Sequence, residues 1–234
     1  MRIRLRYTEH GPIRFLGHRD LARCWERAIR RAGLPIAYSE GFSPRPKLHF
    51  GLALSVGYES EAEYLDIDLL EPVDVESLPA LLSPMMPAGV DVVDAGEIPR
   101  SALALQAAVE VVEWHVWFDQ LDVVELAACS QRLLDRDEVI APLERKGSVS
   151  DVDIRPTVLE LRSQTDERGG AMLCARLATR PRAIRPRELL AALEAGVEPR
   201  LVTRHAQLMT IDGHETALLG PIASPDAPLV RLAS

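Results

Sequence analysis

"RDLARCWERAIRRA" (residues 19–32) sets the reading of the first half of the chain. Leu21, Cys24, Trp25, Ala28 and Ile29 fall at i, i+3, i+4, i+7 and i+8, the spacing of one apolar stripe on an α-helix. Arg19, Arg23, Arg27, Arg30 and Arg31 occupy the opposite side, with Glu26 placed to pair with Arg30 at i+4. Gly33 and Pro35 end the segment. Upstream, "IRLRY" (3–7) alternates apolar and basic residues as a half-buried strand does, and the turn-rich "HGPIRFLGHRD" connects the two. Downstream, "KLHFGLALSV" (47–56) and "AEYLDIDLL" (62–70) read as two strands joined by "GYESE". "DVESLPALLSP" (74–84) reads as a helix weakened by Pro79, and "GVDVVDAGEI" (89–98) as a further strand. The order β-α-β-β-α-β is the ferredoxin-like arrangement.

The second half repeats this order without residue-level identity. "AVEVVEWHVWF" (108–118) reads as a strand and "DVVELAACSQRLLDR" (122–136) as a helix. Residues 138–162 supply strands around a polar insertion, and "GAMLCARLAT" (170–179) another strand. "RPRELLAALEAG" (185–196) is the clearest helix, with Pro186 near its start and Gly196 past its end. "RLVTRHAQLM" (200–209) closes the pattern. The expected fold is therefore α+β: two tandem ferredoxin-like (βαββαβ) units with antiparallel sheets, over residues 1–100 and 105–212. Residues 213–234 are expected as an extended tail.

The chain has 234 residues and a net charge of −8, but that total hides a split. Residues 1–57 hold eleven Lys and Arg against four acids, an excess of seven positive charges, so the remainder carries −15. Such polarity points to a face for a polyanion. No run of 18 apolar residues exists, and the N-terminal "MRIRLRYTEH" has no apolar region behind its charges, so the expectation is a cytoplasmic chain with no membrane partner. Cys24, Cys129 and Cys174 form no CxxC pair, which argues against a zinc ribbon or a redox motif, and no CxxxCxxC triplet, which excludes a radical-SAM cluster held by this chain alone. They read as small buried hydrophobes. No metal and no cofactor is expected, because His10, His18, His49, Asp66 and Asp68 show no ligand spacing such as HxxxH. In "EYLDIDL", Asp66 and Asp68 share one strand side, read either as solvated or as paired with arginines across the sheet.

Taken in order, "RFLGHRDL", "RAIRRAGLP", "SEGFSPRPKLHFG" and "SEAEYLDI" make residues 4–69 resemble the radical-SAM-linked family catalogued as domain of unknown function 2344. Where that family usually has a serine before the histidine, this chain has Gly17. Members occur fused to cobalamin-binding radical-SAM proteins, and as stand-alone actinobacterial chains near ribonuclease E/G genes. The resemblance thus implies a setting in RNA processing or modification and transfers no catalytic residue.

The leading expectation is an RNA-binding or adaptor module. Arginine forks grip phosphates, so Arg19, Arg23, Arg27, Arg30, Arg45 and Lys47 are the expected backbone contacts, with Phe42 as the base stacker. Pro44 and Pro46 stiffen the loop that carries Arg45 and Lys47 and are expected to hold both beside the arginine helix. The rival expectations are a metal-independent RNA-cleaving or RNA-modifying enzyme, with His18 and Tyr38 as acid–base groups, and a pure protein-interaction partner. Ribonuclease E/G or a separate radical-SAM protein are the protein partners that the resemblance implies.

Overall fold

The arginine helix forms as its stripe requires. α1 (His18–Arg31) buries Leu21, Cys24, Trp25, Ala28 and Ile29 against Ile3, Leu5 and Tyr7 of β1 (Arg2–Glu9) and Leu65, Ile67 and Leu69 of the chain at β3 (Glu59–Asp68). Trp25 and Tyr7 meet edge to face, with ring centroids 5.0 Å apart. Gly17 takes the N-cap position without a side-chain hydrogen bond. The computed structural model describes residues 1–145 and 147–220. Among these residues no helix is long and apolar enough to cross a membrane.

The protein is α+β, with a large and mostly antiparallel sheet. Strand β2 (Leu48–Phe50) pairs with β3, β3 with β1, and β1 with β4 (Val92–Ile98), all antiparallel. In the second half, β10 (Leu201–Ile211) pairs with β5 (Val111–Phe118), β5 with β9 (Ala171–Ala178), and β9 with β8 (Val158–Thr165). The two halves do not keep separate sheets. β3 pairs in parallel with β10, Thr203 opposite Glu59 and Arg204 opposite Ser60, so one sheet runs β4-β1-β3-β10-β5-β9-β8. Helices α4 (Val123–Leu134) and α5 (Pro186–Leu193) cover Trp114, Val116 and Phe118 through Leu126, Leu133, Leu189 and Leu193. The short α2 (Leu78–Leu82) begins with Pro79 in its first turn and seals the first core with Leu78 and Leu82.

Several elements differ from the sequence pattern, each for a local reason. The apolar run 47–56 contributes only three strand residues. Leu52 and Leu54 turn instead into the second core, and the carbonyls of Leu52 and Ala53 accept hydrogen bonds from Arg204. A helical turn, α3 (Leu105–Ala108), precedes β5 and buries Leu105 and Ala108. The polar insertion folds as a separate hairpin of β6 (Ile140–Arg145) and β7 (Ser148–Asp153). The expected tail returns to the sheet as β11 (His214–Ala217) on β10, and residues 221–234 lie outside the described residues.

The acids of β3 are not solvated. Arg4 grips Asp66 through Nε and Nη2 at 2.8 and 2.9 Å in a buried pair, and Arg2 grips Asp68 at 2.7 and 3.1 Å. These pairs use part of the positive excess of residues 1–57 inside the fold.

Gly89 shows how tightly the β1 terminus is closed. It has φ +92°, its carbonyl accepts from the His10 amide at 2.8 Å, and an added Cβ would collide with the His10 carbonyl oxygen. Gly89→Ala is expected to lose at least about 2 kcal/mol, read as a lower urea midpoint with an unchanged slope.

Candidate functional site

On α1 the arginines recur every three or four residues, so Arg19, Arg23, Arg27 and Arg30 share one solvent face over about 16 Å of helix axis. All four are exposed. Arg23 donates to Asp20 at 2.9 Å and Arg27 to the Cys24 sulfur at 3.1 Å. Among the described residues no carboxylate pairs with Arg19, Arg27 or Arg30, and the expected Glu26–Arg30 pair does not form. The face is therefore far from neutralised.

The loop before β2 is a clasp. The Ser39 amide donates to the Arg45 carbonyl at 2.8 Å, and the Arg45 amide to Ser39 Oγ at 3.0 Å. Tyr38 bridges to Pro46 and is half-exposed. Phe42, at the tip between those ends, is fully exposed, as are Arg45 and Lys47 to a lesser degree. Lys47 lies three residues from Phe50, at most about 10 Å of chain. Phe50 in turn packs edge-on against the His18 ring at 4.9 Å, so the loop hangs from a strand that touches the first turn of α1.

His18 lines a small cavity with Tyr7, Glu9, Phe50 and Glu63. This acid cluster has no sequence motif, since Glu9 and Glu63 converge only through the β1–β3 ladder, where Tyr7 stands opposite Glu63. Burial, aided by the neighbouring Glu63 charge, pushes the Glu9 carboxyl up to about 8 against the pull of Arg204. Burial also raises Glu63, although Arg204 donates to it at 2.6 Å. A protonated carboxyl beside a carboxylate and an imidazole is an acid–base set. The cavity has a volume of about 20 Å³, room for one water. Tyr38 is not among its walls, so the structure does not join His18 and Tyr38 into one site.

His10, His49, His115 and His205 are held by acids. His10, the Gly11 amide and Arg14 converge on Glu59 at 3.3, 2.9 and 2.7 Å. Burial opposes its ionisation, but these bonds prevail and hold Glu59 at about 2. His49 lies 3.5 Å from Asp68. His115 and His205, ninety residues apart, stack at 4.1 Å because β5 pairs with β10. With Glu113 they form the group of potential metal ligands found among the described residues. Nothing in the local spacing of either histidine marks it, which is why the sequence pattern missed this group.

A family profile described as an uncharacterized protein conserved in bacteria (DUF2344) matches residues 2–186. The chain belongs to this family. No curated protein matches the chain. The DUF2344 match spans β1 to the first residue of α5, so it takes in the arginine face, the Phe42 loop, Glu9 and the Glu113–His115 half of the histidine group, while His205 lies beyond it.

Proposed function

We propose that this DUF2344 protein is an RNA-binding or adaptor module serving an RNA-processing or RNA-modifying enzyme, built as two ferredoxin-like units fused edge to edge. The fold reading rests on the matching strand orders β4-β1-β3-β2 and β10-β5-β9-β8, each with the fourth strand beside the first and the third beside the second. The function rests on one observation above all. Four exposed α1 arginines, three of them without a carboxylate partner among the described residues, share a face in a chain of net charge −8. A fully exposed phenylalanine stands on a clasped loop nearby in sequence.

In this reading Arg19, Arg23, Arg27, Arg30, Arg45 and Lys47 hold phosphates, and Phe42 stacks on a base. A clasped loop loses little entropy on binding. The acidic remainder of the surface keeps other polyanion contacts weak.

Fluorescence anisotropy with a labelled single-stranded RNA, run across a salt series, tests the proposal. Arg23→Glu with Arg27→Glu is expected to weaken binding at least tenfold and to reduce the log–log salt slope by about 1.4, two lost phosphate contacts. Phe42→Ala is expected to cost about 1–3 kcal/mol of affinity with the slope unchanged. Salt-insensitive binding, or wild-type affinity in the double charge reversal, overturns it.

A further inference from the structure

On the sheet around β5 and β10 the structure assembles a buried polar group that the arginine face does not use. Glu113 and His115 lie two residues apart on β5 and so point to one side of the sheet. β10 shifts register between Arg204 and Ala206, and His205 sits at that irregularity, where an extra residue re-aims a side chain. The two imidazoles stack at 4.1 Å with 15° between their planes. A nitrogen of each and a Glu113 oxygen lie within 4.8 Å of one another, and all three residues are at least nine-tenths buried.

We propose that Glu113, His115 and His205 bind one divalent transition-metal cation of the zinc class, with Glu61 orienting His205.

The distances fit such an ion. Two ligand atoms on a tetrahedral metal with bonds of 2.0–2.1 Å stand about 3.3 Å apart. His115 Nε2 and Glu113 Oε1 are 3.3 Å apart already. The widest pair of the group must close by at most about 1.5 Å, and one of the stacked rings must turn about its side-chain bonds so that both in-plane nitrogen lone pairs meet at the ion. Glu61 Oε2 lies 2.8 Å from His205 Nδ1, the carboxylate–histidine contact that fixes the tautomer and ring plane of a ligating imidazole. On the other side, Arg176 approaches Glu113 at 3.9 Å and is itself held by Glu160 and Glu215, which steadies the third ligand.

The donor set selects the cation. Two imidazoles and one carboxylate suit Zn²⁺, Fe²⁺ or Co²⁺ and not Mg²⁺ or Ca²⁺, which take oxygen cages. A dication also balances the charges of Glu113 and Glu61. Three protein ligands leave a position open, as metal centres that work on a ligand do. His205 and Glu61 also line a cavity of about 130 Å³ with Arg6, Thr8 and Tyr64, on the His205 side of the group and large enough for waters or a small anion.

The test uses the full-length, tag-free protein, stripped with chelator, dialysed and titrated with Zn²⁺ alone by calorimetry, with retained metal counted by mass spectrometry. One ion per chain and a raised melting temperature are expected. His115→Gln and His205→Gln are expected to weaken binding at least a hundredfold. Glu61→Gln is expected to weaken it about 10–100-fold and to keep the stoichiometry. His49→Gln, outside the group, is expected to bind as wild type. Zinc-edge X-ray absorption on the wild-type protein, which needs no variant to fold, is expected to read two imidazoles at about 2.0 Å and no sulfur. Failure to retain zinc, sulfur in the first coordination sphere, or undiminished binding in both histidine variants overturns the proposal and leaves two histidine–glutamate pairs.

Discussion

Arg204→Met is expected to cost about 3–5 kcal/mol of stability, the penalty of leaving a buried charge without its partner. Arg204 is 3% and Glu63 4% exposed. The guanidinium donates to Glu63 at 2.6 Å and to the carbonyls of Leu52 and Ala53 at 2.9 and 3.1 Å, and it lies over the Trp114 ring at 4.9 Å. It therefore joins the first half of the chain to the second through a single side chain. Removing it strands the Glu63 carboxylate in a site where burial already disfavours charge. The loss is expected to grow as pH rises, because the stranded carboxyl resists ionisation further. Adding Glu63→Gln is expected to recover a large part of the stability, since an uncharged amide tolerates the site. Urea midpoints for both singles and the double, at fixed pH, give the coupling energy. A single-variant loss below about 1 kcal/mol contradicts this account.

Glu9→Gln is expected to be more stable than the wild type at alkaline pH. Burial, then the Glu63 charge, raises Glu9 from 4.5 to about 8 in the folded chain. A carboxyl raised on folding contributes stability that is complete below its unfolded value, near 4.5, and is lost as pH climbs through about 8. The interval corresponds to at most about 5 kcal/mol. Glutamine keeps the shape and cannot ionise, so the variant is expected to lack this decline. Urea midpoints at pH 5, 7 and 9 are expected to diverge steadily in favour of the variant. Parallel curves for the two proteins would show that Glu9 does not carry the proton.

Much of the fold was legible because helices and half-buried strands declare themselves through period. The stripe Leu21–Cys24–Trp25–Ala28–Ile29 marks α1 to within a residue at each end, and the basic side of that stripe is exposed. Period also locates β1, β5, α4 and α5, with ends that differ by up to three residues. Boundaries failed where side chains serve a distant partner. The run 47–56 looks like one strand, yet Arg204, about 150 residues on, claims its carbonyls. The strand side of Asp66 and Asp68 was legible, but their partners Arg2 and Arg4 depend on ladder register. The candidate nucleic-acid residues were legible because exposure follows from position on one helix and one loop.

Local pattern thus suffices for the α+β class and the exposed arginines of α1, since each depends on residues within a few turns or one strand length. Long-range pairing settles what pattern cannot. The parallel join of β3 to β10 merges the halves into one sheet and brings Arg204 to Glu63. The β5–β10 ladder brings His115 to His205. A carboxylate or an imidazole has the same letter in the sequence whether it faces water or a buried partner. Its proton affinity and its power to bind a metal come from neighbours that the sheet alone selects.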